Sequence, residues 1–223
     1  MKISIAIDGP AGAGKSTIAK LIGEKYNLMY INTGSMYRAV TLFAMQRGID
    51  PTQVKELCEL IDTLNMYFKN ENLFVNDVDV TDELTSIQVT NNVSRYASIL
   101  EVRQKLVQMQ QKIAENYDVV MDGRDIGTVV LKDASLKIFL TARAEERAKR
   151  RYDELIAKNV KVDYNNILED IKKRDYIDSN RKIDPLRKAE DAIEIDSSIM
   201  DINEVVETIS RYISSIHVKN SDV

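Results

Sequence analysis

The sequence predicts an α/β fold, a five-stranded parallel sheet with helices on both faces, and two observations predict it. Short apolar runs rich in β-branched residues alternate with segments whose apolar residues recur every three or four positions, and glycine, asparagine or aspartate closes several of those runs. The alternation breaks once, between residues 51 and 98, and then resumes.

Residues 3–7 read as a buried strand stopped by Asp-Gly-Pro, and from Lys15 the spacing of Ile18, Leu21, Ile22 and Tyr26 is helical. A second strand at 28–31 ends in Asn-Thr-Gly, and Met36, Val40, Phe43 and Ala44 mark a helix closing near Gly48. Within 51–98, Leu57, Leu60, Ile61 and Leu64 give one short helix. Three short strands follow at 66–68, 73–75 and 78–80, separated by Asn and Asp turns, so this segment reads as an insert packed beside the main sheet. The α/β rhythm then returns with a helix at 102–114 and strands at 119–121 and 136–140. Charged helices at 145–158 and 164–175 flank a polar tip at 157–165, before a strand at 192–195 and an amphipathic helix at 202–216. One domain spanning 1–223 is expected, with a loose tail of a few residues.

A chain of 223 residues buries ~70% of its unfolded surface, enough for a core without cross-links. Cys58 and His217 each stand alone, which excludes a Cys/His zinc cluster and an intrachain disulfide and leaves no ready Ser-His-Asp mechanism. The absence of tryptophan and a formal charge of -4 argue against a platform for nucleic acid. No apolar run approaches the roughly 18 residues of a membrane span, and glycines interrupt the first apolar run too early for a signal peptide. A cytoplasmic protein, acting as a monomer, is expected.

Gly9-Pro10-Ala11-Gly12-Ala13-Gly14-Lys15-Ser16, followed by Thr17, fits G-x-x-x-x-G-K-[ST] and lies between a strand and an amphipathic helix. Glycines let such a loop curl so that its N–H groups and the helix N-terminus face phosphate oxygens. Lys15 supplies a cation for the β- and γ-phosphates and Ser16 a hydroxyl for Mg²⁺. Asp122 ends the run 119–121, where it reads equally as a second carboxylate toward the metal or as a helix cap.

Arg38 follows the second strand, and Arg124 and Asp125 follow the strand at 119–121, the edge where open α/β sheets bind ligands. Two arginines beside a phosphate loop suggest a second phosphate site. Arg150, Arg151, Arg174 and Arg181 flank the polar tip, as in a hinged hairpin that closes over phosphates and excludes water. Arg143 and Arg147 read as a solvated helix face stitched by Glu145–Lys149 and Glu146–Arg150 pairs.

GPAGAGKS, NTGSMYR, VSRYASILEVR, DGRDIGTVV, EERAKRR and RDYIDSNRKIDPLRKA occur in the order found in bacterial cytidylate kinases, and the chain resembles that family from about residue 2 to 215. The resemblance implies a P-loop kinase fold with a small α+β monophosphate-binding insert at 51–98 and a helical lid at 150–175. It implies transfer of the γ-phosphoryl of MgATP to CMP or dCMP, with UMP a poor acceptor and neither nucleic-acid polymer nor membrane as partner. Residue by residue, Arg38, Arg124 and Arg174 would meet the acceptor phosphate and Thr33 would line its pocket. Ser94, Arg103 and Asp125 would contact the cytosine, and Asp178 and Arg181 the sugar. Lys15, Arg124, Arg150, Arg151 and Arg174 would neutralise charge during transfer. The chain departs from the family at Asn32, usually Asp, and at Ser35, usually Ala. The alternatives are a P-loop kinase of another small acceptor, or a nucleotide-hydrolysing switch, whose usual Asn-Lys-x-Asp stretch does not occur here.

Overall fold

The computed structural model describes the backbone of residues 2–69 and 71–221 and the side chains of 2–69 and 71–216. Residues 222 and 223 at the end of the expected tail, and the His217 side chain, lie outside the described residues. The chain opens with β1 (Ser4–Asp8), α1 (Lys15–Tyr26), β2 (Met29–Asn32) and α2 (Thr33–Gln46). The middle segment holds α3 (Val54–Asp62), β3 (Met66–Lys69), β4 (Asn72–Val75), β5 (Val78–Asp79), a 3₁₀ turn (Glu83–Thr85) and α4 (Ile87–Ala97). Then come α5 (Leu100–Asn116), β6 (Val119–Gly123), a π-helical turn (Ile126–Val130), β7 (Leu136–Thr141), α6 (Ala144–Ala157), α7 (Tyr164–Asn180), β8 (Ile193–Asp196) and α8 (Ile202–Ser221).

The main sheet is parallel, in the order β2-β6-β1-β7-β8. β1 is paired on both sides, Ile5 opposite Val120 and Leu136, so its carboxyl end sits at the centre of the ligand-binding edge. Ile5 and Ile7 pack with Ile18, Ile22, Val205 and Ile209 of α1 and α8, while Ala6, between them, faces a separate cluster with Ile31, Met121 and Ile126. That alternation is the period-two geometry of a strand buried on both faces.

Segment 51–98 holds one element more than expected. It contains a further helix, α4, which buries Val89, Val93 and Tyr96. The run Ile87-Gln-Val-Thr-Asn-Asn hides it, because β-branched residues and asparagine have weak helix propensity. Leu57, Leu60, Leu73 and Val75 share one cluster with Met36 and Val40 of α2 and Leu106 of α5, so the segment packs on those two helices. After β2, α2 starts at once, and Asn32 caps it by accepting the Ser35 N–H at 3.0 Å. Helix α7 runs on to Asn180, past the expected end at 175, so the bounds 150–175 fall inside both α6 and α7.

Candidate active site

The loop after β1 passes so close to β7 that a Cβ at Gly9 would lie 1.9 Å from the Leu140 carbonyl oxygen, which admits only glycine. Gly14 caps α1 without a side-chain bond and the first turn carries no acid, leaving its N–H groups open to an anion. Lys15 is buried and donates to the Pro10 carbonyl at 2.7 Å. Burial, reinforced by Arg124, pushes its pKa well below the usual lysine range.

Asp122 lies within β6, not at a helix start, so the cap reading is corrected. Its two oxygens accept from the Ser16 hydroxyl and the Tyr30 hydroxyl, each at 2.9 Å, and burial raises its pKa against the pull of Lys15. Asn32 Nδ2 donates to the Tyr30 hydroxyl at 3.2 Å and to Ser16 at 3.4 Å. These oxygens form a hard-donor group beside the loop, of the kind that suits Mg²⁺. Among the described residues no cluster of three or more His, Cys, Asp or Glu side chains could hold a metal by itself.

Four arginines, Arg38, Arg124, Arg151 and Arg174, lie close enough to act on one another. Arg38 on α2 donates to the Leu84 carbonyl at 3.0 Å and the Thr90 hydroxyl at 2.9 Å, so the segment 51–98 aims it. Burial and then Arg174, Arg124 and Arg151 push its pKa down to about 10. The Arg174 pKa is lowered by burial and then by Arg124, and its buried Nε has no partner among the described residues. Arg124 binds Asp178 at 2.7 Å, and Arg151 pairs with Glu154 at 2.8 Å. Arg150 is not part of the group: it donates to the Ser197 carbonyl at 2.5 Å. It lines a cleft of about 910 Å³ between the phosphate loop, α6 and the start of α8. The Thr33 hydroxyl, expected to line a pocket, donates to the Asp122 carbonyl at 2.7 Å.

Next to the arginines lies a second cluster. Asp125 takes Arg103 Nη2 on one oxygen and Arg181 Nη2, at 3.2 Å, on the other. Burial raises its pKa, and the two arginines pull it back. The buried Arg103 also lies over the Tyr37 ring, 5.6 Å from its centroid. Ser94 sits half-buried on α4, which packs against α2 and α7.

The solvated reading of Arg147 is overturned, while Arg143 remains exposed with Glu146. Arg147 is buried, donating from Nε to the Ala142 carbonyl at 2.7 Å and from Nη1 to the Ala11 carbonyl at 2.8 Å. It pairs with Asp175 at 2.7 Å, and Asp175 in turn accepts the Ala11 N–H at 3.3 Å. Both polar groups of one loop residue are thus held by one ion pair between α6 and α7. Asp8 was also missed: buried at the end of β1, it accepts the N–H groups of Ile126 and Gly127 at 2.8 and 2.7 Å. Burial pushes its pKa up to about 6. A carboxylate immediately before the loop glycine was the signal available for it.

Residues 5–215 match the family model described as cytidylate kinase. The chain is 64% identical over 214 residues to the cytidylate kinase of Clostridium acetobutylicum, covering 96% of this chain and 99% of that protein. It is 58% identical over 219 residues to the cytidylate kinase of Clostridium tetani, covering 98% and 97%. Among solved structures, an uncharacterized protein from Eubacterium ventriosum is similar in fold, with a TM-score of 0.53, 18% identity and coverage of 96% and 99%.

Proposed function

The chain belongs to the cytidylate kinase family, and from that premise we propose that it transfers the γ-phosphoryl of ATP to CMP or dCMP. It is a nucleoside monophosphate kinase. One observation carries the acceptor assignment: Arg38, Arg124, Arg151 and Arg174 meet beside the phosphate loop, more cations than the acids Asp175, Asp178 and Glu154 near them, and among the described residues no group partners the buried Arg174 Nε. Such a group calls for an anion with several oxygens.

A phosphate monoester has a second pKa of about 6, so near neutral pH the acceptor is already a nucleophile and needs no general base. The chain's task is then positioning and charge neutralisation. The loop N–H groups and Lys15 would bind the donor phosphates, while Arg38, Arg124 and Arg174 would bind the acceptor phosphate. Arg151 adds positive charge between them; Arg150, turned to Ser197, faces the donor cleft. Ser16 and Asp122 would hold Mg²⁺, with the remaining positions left to water and phosphate oxygens. The ion supplies charge neutralisation on the phosphates. Ser94, Arg103 and Asp125 would read the cytosine and Asp178 and Arg181 the sugar. Segment 51–98 is the acceptor insert in this reading, and 150–175 a lid that excludes water. No helix among the described residues is long and apolar enough to cross a membrane. The reading is of a cytoplasmic monomer working on soluble nucleotides.

The test is ADP formation from MgATP with CMP, dCMP, UMP, AMP, GMP and shikimate supplied separately. Turnover confined to CMP and dCMP is expected. Turnover with another acceptor would overturn the base assignment, and ADP formation indifferent to acceptor would make the chain an NTPase.

A further inference from the structure

We infer that Asp184 is a specificity-determining positioning residue, which fixes the two arginines of the base pocket; the inference rests on the cytosine reading above. Asp184 lies between α7 and β8 with φ +46, a left-handed conformation that Asp and Asn tolerate better than most side chains. Its carboxylate accepts Arg103 Nε at 2.9 Å, and its backbone carbonyl accepts Arg181 Nε at 2.6 Å. The outer nitrogens of the same two arginines meet on the two oxygens of Asp125. Arg103 Nη1 donates to the Ala97 carbonyl at 3.3 Å. One residue therefore holds the inner edge of both guanidinium groups, while Asp125 holds their outer edges. The Arg103 and Asp125 side chains are almost fully enclosed, whereas that of Asp184 keeps 29% exposure, which places it at the rim.

A guanidinium is a rigid planar fork, so a bond at Nε fixes the direction of its remaining donors. Cytosine presents an amino donor with two acceptors; uracil reverses donor and acceptor at positions 3 and 4. Rejecting uracil requires that the pocket's donors and acceptors cannot turn to suit it. With its Nε free, Arg103 could swing to donate to the uracil 4-oxygen. It would also compete harder with Arg181 for Asp125, leaving fewer carboxylate lone pairs for the cytosine amino group. Asp184 prevents both while touching neither the transferred phosphoryl nor the phosphate loop. Its effect belongs in acceptor binding and discrimination, not in the rate of transfer.

Asp184→Asn keeps the left-handed backbone and the carbonyl hold on Arg181, and replaces the charge-assisted bond to Arg103 Nε with a weaker neutral one. Asp184→Glu returns a carboxylate. The experiment measures kcat and KM for CMP and UMP at saturating MgATP, with Tm recorded for each variant. For Asp184→Asn, kcat/KM with CMP falls by about tenfold through KM while kcat stays within about twofold, and the UMP value falls by less than about threefold. The CMP:UMP ratio therefore shrinks, and Asp184→Glu recovers part of it. A ratio unchanged in Asp184→Asn overturns the inference, as does a parallel fall of kcat for both acceptors together with Tm. Wild-type protein that uses CMP and UMP alike overturns the cytosine reading itself, and the inference with it.

Discussion

In the phosphate loop, the unbroken stretch from Gly9 to Ser16 offers its own backbone, and Lys15 is its one charged side chain. The arginine and aspartate clusters are gathered from distant stretches of the chain. Arg38 comes from α2, Arg103 from α5, Arg124 and Asp125 from the end of β6, Arg174 and Asp178 from α7, and Arg181 and Asp184 from the segment after it. A backbone cradle is secured by loop conformation, so most of its side chains are free to change. A side-chain cluster is secured by its own pairings, so each member feels the loss of any other.

The largest test of that contrast is Lys15→Ala. Transfer should fall by about 10³-fold or more in kcat, with KM for the acceptor little changed. An acceptor KM that rises in step would mean the two sides are not separable at the loop.

Arg147→Ala probes a place where the loop backbone leans on side chains. Removing one partner of a buried ion pair costs about 4 kcal/mol, here also freeing the Ala11 carbonyl, and denaturant unfolding would read it. A loss below about 1 kcal/mol would show the loop standing by itself.

The smallest effect is a pH slope at Asp8. Its folded pKa, about 6, lies above the ordinary value of 3.8, so between those values the folded protein binds the proton more tightly than the unfolded chain. Stability from this group is therefore full below about pH 4 and is lost as pH rises through about 6, by on the order of 2–3 kcal/mol. Asp122 and Asp125 are raised as well, so the measurement is the difference in unfolding free energy between wild type and Asp8→Asn from pH 4 to 7. The advantage of wild type should shrink with rising pH; a flat difference would remove Asp8 as a titrating group.

The same contrast decides what could be read before the fold was seen. The five strands and the loop were legible because each is written in adjacent residues, down to the Asp-Gly-Pro that ends β1. Arg147 was misread because helical spacing tells which face a residue occupies, not that α7 returns to cover it. Arg103 looks like one more polar position on a charged helix; its burial follows from Asp125 and Asp184, which lie 22 and 81 positions away in the chain. Tyr30 reads as strand filler, and only the register that sets Asn32 against Asp122 brings its hydroxyl to that carboxylate. The family motifs flagged Arg103 and Asp125, since a shared sequence pattern retains long-range pairings that local periodicity cannot express.

The Tyr37 ring beneath Arg103 has an optical consequence. The chain holds no tryptophan, so Tyr37→Trp would install a sole indole fluorophore against the Arg103 guanidinium. Its emission could be excited apart from the nine remaining tyrosines and would follow nucleotide arrival at Arg103 in the proposed base pocket, against a spectrally dark phosphate loop.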